Sequence, residues 1–257
     1  MTFDLMACCL RLGARQKIRF PPGQAGNVLR GALGHLLREE DHARIFRPVS
    51  NPNGPSGLAD SPRPFVIRAS ELSGRVVEPG EQFCFRLNWF DAGERLDAVV
   101  RAFAHWADLI AVEQLAVSIE LTPKHVASRI RVEFQTPTDL RTEGAGFGVL
   151  LARARDRVST LRALYGAGPL EIDFRGLAER ARAVTTLRGE FRRVAIQRRS
   201  SRTGQRHRIG GFVGFAEYEG DLTEFVPYLE AAHWTGVGRH CTWGNGEIAT
   251  SILNSGF

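Results

Sequence analysis

The order of apolar periodicities along the chain predicts an α+β fold built from two successive βαββαβ units, an arrangement known as ferredoxin-like or RRM-like. Three observations carry the prediction. The chain is 257 residues long, which leaves room for two domains. It is 43% hydrophobic and 24% charged, a balance suited to packed cores and unsuited to global disorder. Strand-like and helix-like stretches also follow one another in the same order on either side of Pro123, which divides an expected N-terminal domain (1–124) from an expected C-terminal one (125–257).

In the first unit, residues 3–12 (FDLMACCLRL) read as a strand. PPGQAGN then leads into a helix on which Val28, Leu29, Ala32, Leu33, Leu36 and Leu37 recur at helical spacing to about Glu40. Residues 47–64 hold five of the twelve prolines and read as a loop. Strands are expected at 64–68 and 82–89, a helix from Glu94 to Val112 with Leu96, Val99, Phe103, Trp106 and Ile110 on one face, and a closing strand at 115–121.

The second unit opens with a strand at 129–136, where Arg129, Arg131 and Glu133 alternate with Ile130, Val132 and Phe134. A helix from Gly146 to Tyr165 follows. Two long strands, 180–198 and 206–218, are expected to flank SSRTGQ as a hairpin. Asp221 to Ala232 reads as a helix with Asp221 as its cap and Pro227 shortening or kinking it, and a last strand spans 246–252.

Composition narrows the function classes. No apolar run approaches the ~18–20 residues of a membrane span. The basic residues of the N-terminus follow its apolar stretch, the reverse of a secretory signal, so a cytoplasmic protein is expected. Cys8, Cys9, Cys84 and Cys241 form no CxxC pair and read as free thiols. Charge is more informative. The formal net charge is +6, yet the segment from Arg188 to Arg208 alone holds eight arginines against one acid, Glu190. The basicity is local, which points to one anionic partner docking in one place.

Three motifs carry chemistry. The first is GVGRHCTWGNG, with Gly236, Gly238, Gly244 and Gly246 spaced as G-x-G, five residues, then G-x-G. Glycine permits positive φ and close backbone approach to a phosphate chain, and Arg239 and His240 add donors. The spacing is neither the dinucleotide fingerprint nor a P-loop. The second is the arginine hairpin, in which Arg192, Arg193, Arg198, Arg199, Arg202, Arg206 and Arg208 present planar guanidinium forks suited to phosphate. The third is the pair His35 and His42, on or just after the first helix and, at seven residues apart, on nearly the same helical face. Metal-free cleavage of RNA uses the ribose 2′-OH as nucleophile. It needs proton transfer, which histidine performs near neutral pH, and positive charge, which Arg38, Arg44 or Arg15 would supply. No H-x-E, H-E-x-x-H or acidic cluster suggests a metal nuclease, so no cofactor or metal is expected.

The loop at 236–246 resembles the signature glycine-rich loop of the RAMP superfamily (repeat-associated mysterious proteins). More narrowly, FPPGQAGNVLRGALGHLLR near the start, FQTPTDLR at 134–141 and FGVLLARARDRVSTLRALYG in the second unit resemble the CRISPR precursor-RNA processing endoribonuclease, in the same order along the chain. The resemblance implies a tandem ferredoxin-like fold that binds the repeat of a CRISPR transcript. It implies metal-independent cleavage to a 5′-hydroxyl and a 2′,3′-cyclic phosphate, with a catalytic histidine in or just after the first helix. Both His35 and His42 fit, with Arg44 beside the latter. The segment after the first helix lacks the cysteine cluster of some relatives, so no zinc-stabilised insertion is expected. The expected partners are CRISPR repeat RNA and a CRISPR effector complex, with the chain a monomer or homodimer and no membrane involved. A non-catalytic RNA-binding subunit of such a complex is the alternative.

Overall fold

The computed structural model describes residues 1–48, 61–91, 95–142, 144–199 and 206–253. The first half contains, in order, β1 (Thr2–Gly13), β2 (Ile18–Arg19), α1 (Ala25–Leu36), α2 (Glu39–Phe46), β3 (Phe65–Arg68), β4 (Val76–Val77), β5 (Gln82–Trp89), α3 (Leu96–Trp106) and β6 (Asp108–Glu120). The second contains β7 (Arg129–Thr138), α4 (Phe147–Tyr165), α5 (Phe174–Arg182), β8 (Thr185–Val194), β9 (Gln197–Arg199), β10 (Arg206–Arg208), β11 (Gly211–Glu219), α6 (Val226–Thr235) and β12 (Ile248–Ile252).

Each half builds one antiparallel sheet, in the order β3-β5-β1-β6 and β12-β7-β11-β8. In both, the first strand of the unit lies between the third and fourth, and the second lies beside the third. This is the ferredoxin-like order, so the expected fold class holds. A small β2–β4 ladder is an addition the sequence did not suggest.

The expected strands at 180–198 and 206–218 are each divided, into β8 and β9 and into β10 and β11, and four further departures from expectation have a physical reason. The helix at 94–112 stops at Trp106, because β6 pairs with β1 from Thr2↔Glu120 to Gly13↔Asp108 and that ladder outcompetes the helical spacing of Ile110. The first helix ends at Leu36. Leu37 and Arg38 turn extended, and Glu39, Glu40 and Asp41 then favour the positive end of a separate α2. Residues 174–182 form α5, so 180–182 end a helix and do not start a strand; Asp173 caps it by accepting from Gly176 N at 2.9 Å. Lastly, α6 begins at Val226, so Pro227 sits in its first turn, where a missing N–H breaks no helical bond. Of the expected hairpin, residues 200–205 lie outside the described residues, as do 49–60 of the proline-rich loop.

The alternation along β1 ties the halves together. Cys8, Leu10 and Leu12 enter a core with Leu29 and Leu33 of α1 and Phe103 of α3. Phe3, Leu5 and Ala7 enter the other core, with Phe134, Leu150, Val158 and Leu229 of the second unit. Among the described residues, no helix is long and apolar enough to cross a membrane.

Candidate functional site

Helix α1 has three distinct faces. Leu29 and Leu33 are fully buried. One turn-to-turn stripe, Gly26, Arg30 and Gly34 at i, i+4 and i+8, looks at the glycine-rich loop and at α2. A Cβ at Gly26 would lie 2.6 Å from Trp243 O and 2.8 Å from Gly244 Cα, so only glycine lets the loop backbone rest on the helix. A Cβ at Gly34 would lie 3.8 Å from Phe46 and 4.0 Å from His42 Nε2. The third stripe holds Gly31, which has open space beside it, and the exposed His35.

Arg30 therefore links two distant segments. Its guanidinium carbon lies 4.9 Å from the Phe46 ring and 5.2 Å from the Trp243 ring. His42 stacks on Phe46, with ring centres 4.9 Å apart and planes 13° from parallel. His240 stacks on Trp243 at 4.7 Å and 7°. The result is a ladder, His42–Phe46–Arg30–Trp243–His240, running from the first helices into the glycine-rich loop. Cations stack favourably on such rings, by about 0.5–2 kcal/mol as water is excluded. The spacing argument that put both histidines on one helical face fails, since the chain breaks at Leu37–Arg38. His42 is half-buried in α2, whereas His35 stands exposed on α1.

The loop is a packed turn. Gly236, Gly238, Gly244 and Gly246 take φ of 73°, 80°, 85° and 70°, and His240 takes 66°, all left-handed. A Cβ at Gly238 would meet Asp139 O at 2.5 Å, and one at Gly246 would meet Val237 O at 2.1 Å. The N–H groups of Gly236, Gly244 and Gly246 donate to Ala232, Cys241 and Pro137 carbonyls inside the protein. The glycines thus shape the loop, while Arg239 and His240 offer side chains. Arg239 N donates to Asp139 O at 3.0 Å, fixing the loop to the end of β7.

Helix α6 feeds this loop, and its last carbonyls anchor it. His233 O accepts from Arg68 Nη2 at 3.0 Å, Trp234 O from Asn88 Nδ2 at 2.8 Å and Thr235 O from Arg157 Nε at 2.8 Å. Donors from β3, β5 and α4 so converge on the negative end of one helix. Arg68 is only 6% exposed, and burial draws its guanidinium below the ordinary value, against the opposing pull of Glu247 and Cys241.

The other expected residues divide. Arg192 sits on the open face of the second sheet, opposite Val213 and in the row of Arg188 and Phe215. Arg193 lies on the other face, beside Phe191 and Phe212. Part of the basicity is neutralised locally, because Arg188 pairs with Glu190, and Arg129 and Arg131 pair with Glu217 at 2.7 and 3.4 Å. Arg198, Arg199, Arg206 and Arg208 belong to the β9–β10 ladder, and Arg202 lies outside the described residues. Arg44 pairs with Glu40 at 3.0 Å on the surface of α2, and Arg15 pairs with Asp108 at 2.7 Å at the far end of β1. Sequence reasoning missed Arg30, Phe46 and Trp243. The repeat G-x-x-x-R-x-x-x-G from Gly26 to Gly34 was a legible signal for the first.

Comparison with known proteins agrees with the fold. Residues 132–248 match the model of the CRISPR-associated endoribonuclease Cas6, and residues 3–112 match a model of an N-terminal domain. No curated protein matches the chain. Among solved structures, one Cas6 product complex aligns with a TM-score of 0.65 at 16% identity, over 97% of this chain and 100% of that one. A second Cas6 product complex gives 0.60 at 20% identity, over 96% and 99%. Cas6 from Thermus thermophilus gives 0.61 at 15%, over 98% and 99%. At such identities the structures speak for the fold. The family model speaks for the lineage of the second unit: residues 132–248, from within β7 to the start of β12 and with the whole glycine-rich loop, match the Cas6 family of CRISPR-associated endoribonucleases.

Proposed function

We propose that this chain cuts CRISPR precursor RNA within its repeat, without a metal ion, through attack of a ribose 2′-OH on the adjacent phosphate. The 2′-oxygen forms its bond to phosphorus as the 5′-oxygen leaves, giving a 2′,3′-cyclic phosphate and a 5′-hydroxyl. His42 is the proton-transfer group in this reading, and Arg30 is the residue that positions it. The observation that carries the assignment is the ring ladder that joins His42 to the loop of the family signature. A half-buried imidazole fixed on Phe46 is held in one orientation, which proton transfer requires. His35 stands exposed on the stripe of Gly31. Arg192, Arg193 and Arg239, with the arginines of the β9–β10 ladder, are read as phosphate contacts whose affinity falls with salt.

The test is cleavage of repeat RNA by the purified protein in EDTA, beside an RNA carrying 2′-deoxyribose at the cut site. Unimpaired cutting in EDTA, no cutting of the deoxy substrate and a cyclic phosphate on the upstream product are expected. Cleavage of the deoxy RNA, or its arrest by EDTA, would contradict the mechanism.

A further inference from the structure

The glycine-rich loop has a second side. Its Trp243–Gly244 edge rests on α1, whereas Gly238 and Arg239 border a cleft of about 640 Å³ between the end of β7, α4 and α5. That volume falls within the range of about 300–1,000 Å³ typical of small-ligand sites. We propose that this cleft holds one nucleotide of single-stranded RNA, the phosphate on its arginines and the base on Phe174. The proposal rests on the reading above that the chain binds repeat RNA.

Charge gives the first argument. Arg141, Arg153, Arg157 and Arg239 line the cleft, against Asp139 and Asp156. Both carboxylates are already engaged. Asp139 accepts from the Arg141 N–H at 3.0 Å and pairs with Arg239 at 3.5 Å, while Asp156 binds Arg155 at 2.7 Å. The site therefore keeps a positive balance suited to a phosphate.

The wall gives the second. Phe174 is 36% exposed although apolar, and its ring lies 4.9 Å from the guanidinium of Arg155, itself only 7% exposed. Arg155 also donates to Phe174 O at 2.9 Å and holds Asp156 through Nε and Nη2. A buried, fully anchored cation thus fixes one side of the ring and leaves the rest facing the cleft. Aromatic platforms of this kind stack bases with little regard to sequence.

The backbone gives the third. Arg141 has φ of 62°, a left-handed conformation that a long side chain rarely takes and that surroundings must enforce. It is enforced by the same Asp139 that ties down Arg239. Arg141 lines the cleft from a segment, FQTPTDLR, that the glycine-rich loop grips.

The test compares wild type with Arg141→Gly and Phe174→Ala, on repeat RNA shortened stepwise from each end. Glycine takes the same φ without strain, so Arg141→Gly removes the guanidinium and keeps the fold. Each variant is expected to lose about tenfold in affinity for RNA that reaches the cleft. The difference should vanish once a defined stretch of nucleotides is removed, and 4-thiouridine in that stretch should crosslink near Phe174. AMP alone is the second arm: tight binding of AMP, lost in Phe174→Ala, would assign the cleft to free nucleotides and overturn the RNA claim. If wild type binds and cuts RNA but both variants bind as tightly at every length, the cleft assignment alone falls. If wild type binds no repeat RNA, both readings fall together.

Discussion

Arg30 is the residue on which the site turns, because it lies between rings from two segments far apart in sequence. Replacing it with methionine keeps a flexible, apolar stem but deletes the stacked plane. We expect Arg30→Met to lower stability by about 1–2 kcal/mol and to slow single-turnover cleavage more than it weakens binding. Arg30→Lys, which keeps the charge without the plane, should also be slow; wild-type rates in both would remove Arg30 from the site. Thiol chemistry offers a check on burial elsewhere. Burial, and then the neighbouring Cys9, push the Cys8 thiol up to about 11, whereas Cys84 is exposed. At pH 8 Cys8 stays protonated, so iodoacetamide should label Cys84 first and leave Cys8 unmodified until the chain unfolds. Mass spectrometry of the labelled peptides reads the order directly.

At the scale of elements, two glycines on α1 make a matched experiment. Gly31 has open space where a Cβ would go, so Gly31→Ala should be neutral or stabilise by up to about 1 kcal/mol, the ordinary helix preference. A Cβ at Gly26 would lie 2.6 Å from the loop backbone, so Gly26→Ala should cost about 1–3 kcal/mol and lower the cleavage rate by lifting the loop from the helix. Thermal unfolding of both, beside cleavage rates, checks the pair; equal behaviour would mean that the contact is unimportant. Elements whose apolar period matched their pairing were legible in the sequence. Strand 82–89 and the helix ending at Tyr165 were read to within a residue. The elements that were misread are those settled by tertiary contacts. The helical spacing of Leu96 to Ile110 is real, but β1 claims its last residues for a ladder. Helix α5 is short and arginine-rich, and its local signs are only the cap at Asp173 and the spacing of Phe174, Leu177 and Ala181.

Across the whole molecule, the halves are joined by more than a linker. Phe3, Leu5 and Ala7 of β1 lie in the second core, and β3, β5 and α4 all bond to the end of α6. The glycine-rich loop leaves from that anchored end and returns to β12, so its position relative to α1 is set by the domain interface. That explains what the sequence could and could not disclose about the site. The loop, the basic hairpin and the two histidines were legible, because each is a local pattern of chemistry. The reading that favours His42 over His35 was not, since it rests on a helix break at Leu37 and on the stack of His42 on Phe46. The measurement that tests this account most directly is single-turnover cleavage of repeat RNA by His42→Ala and His35→Ala, with affinity measured on the same RNA. His42→Ala should bind normally and lose about 10²–10⁴-fold in rate, while His35→Ala cuts at close to the wild-type rate. A His42→Ala protein that binds and cuts like wild type would contradict the account.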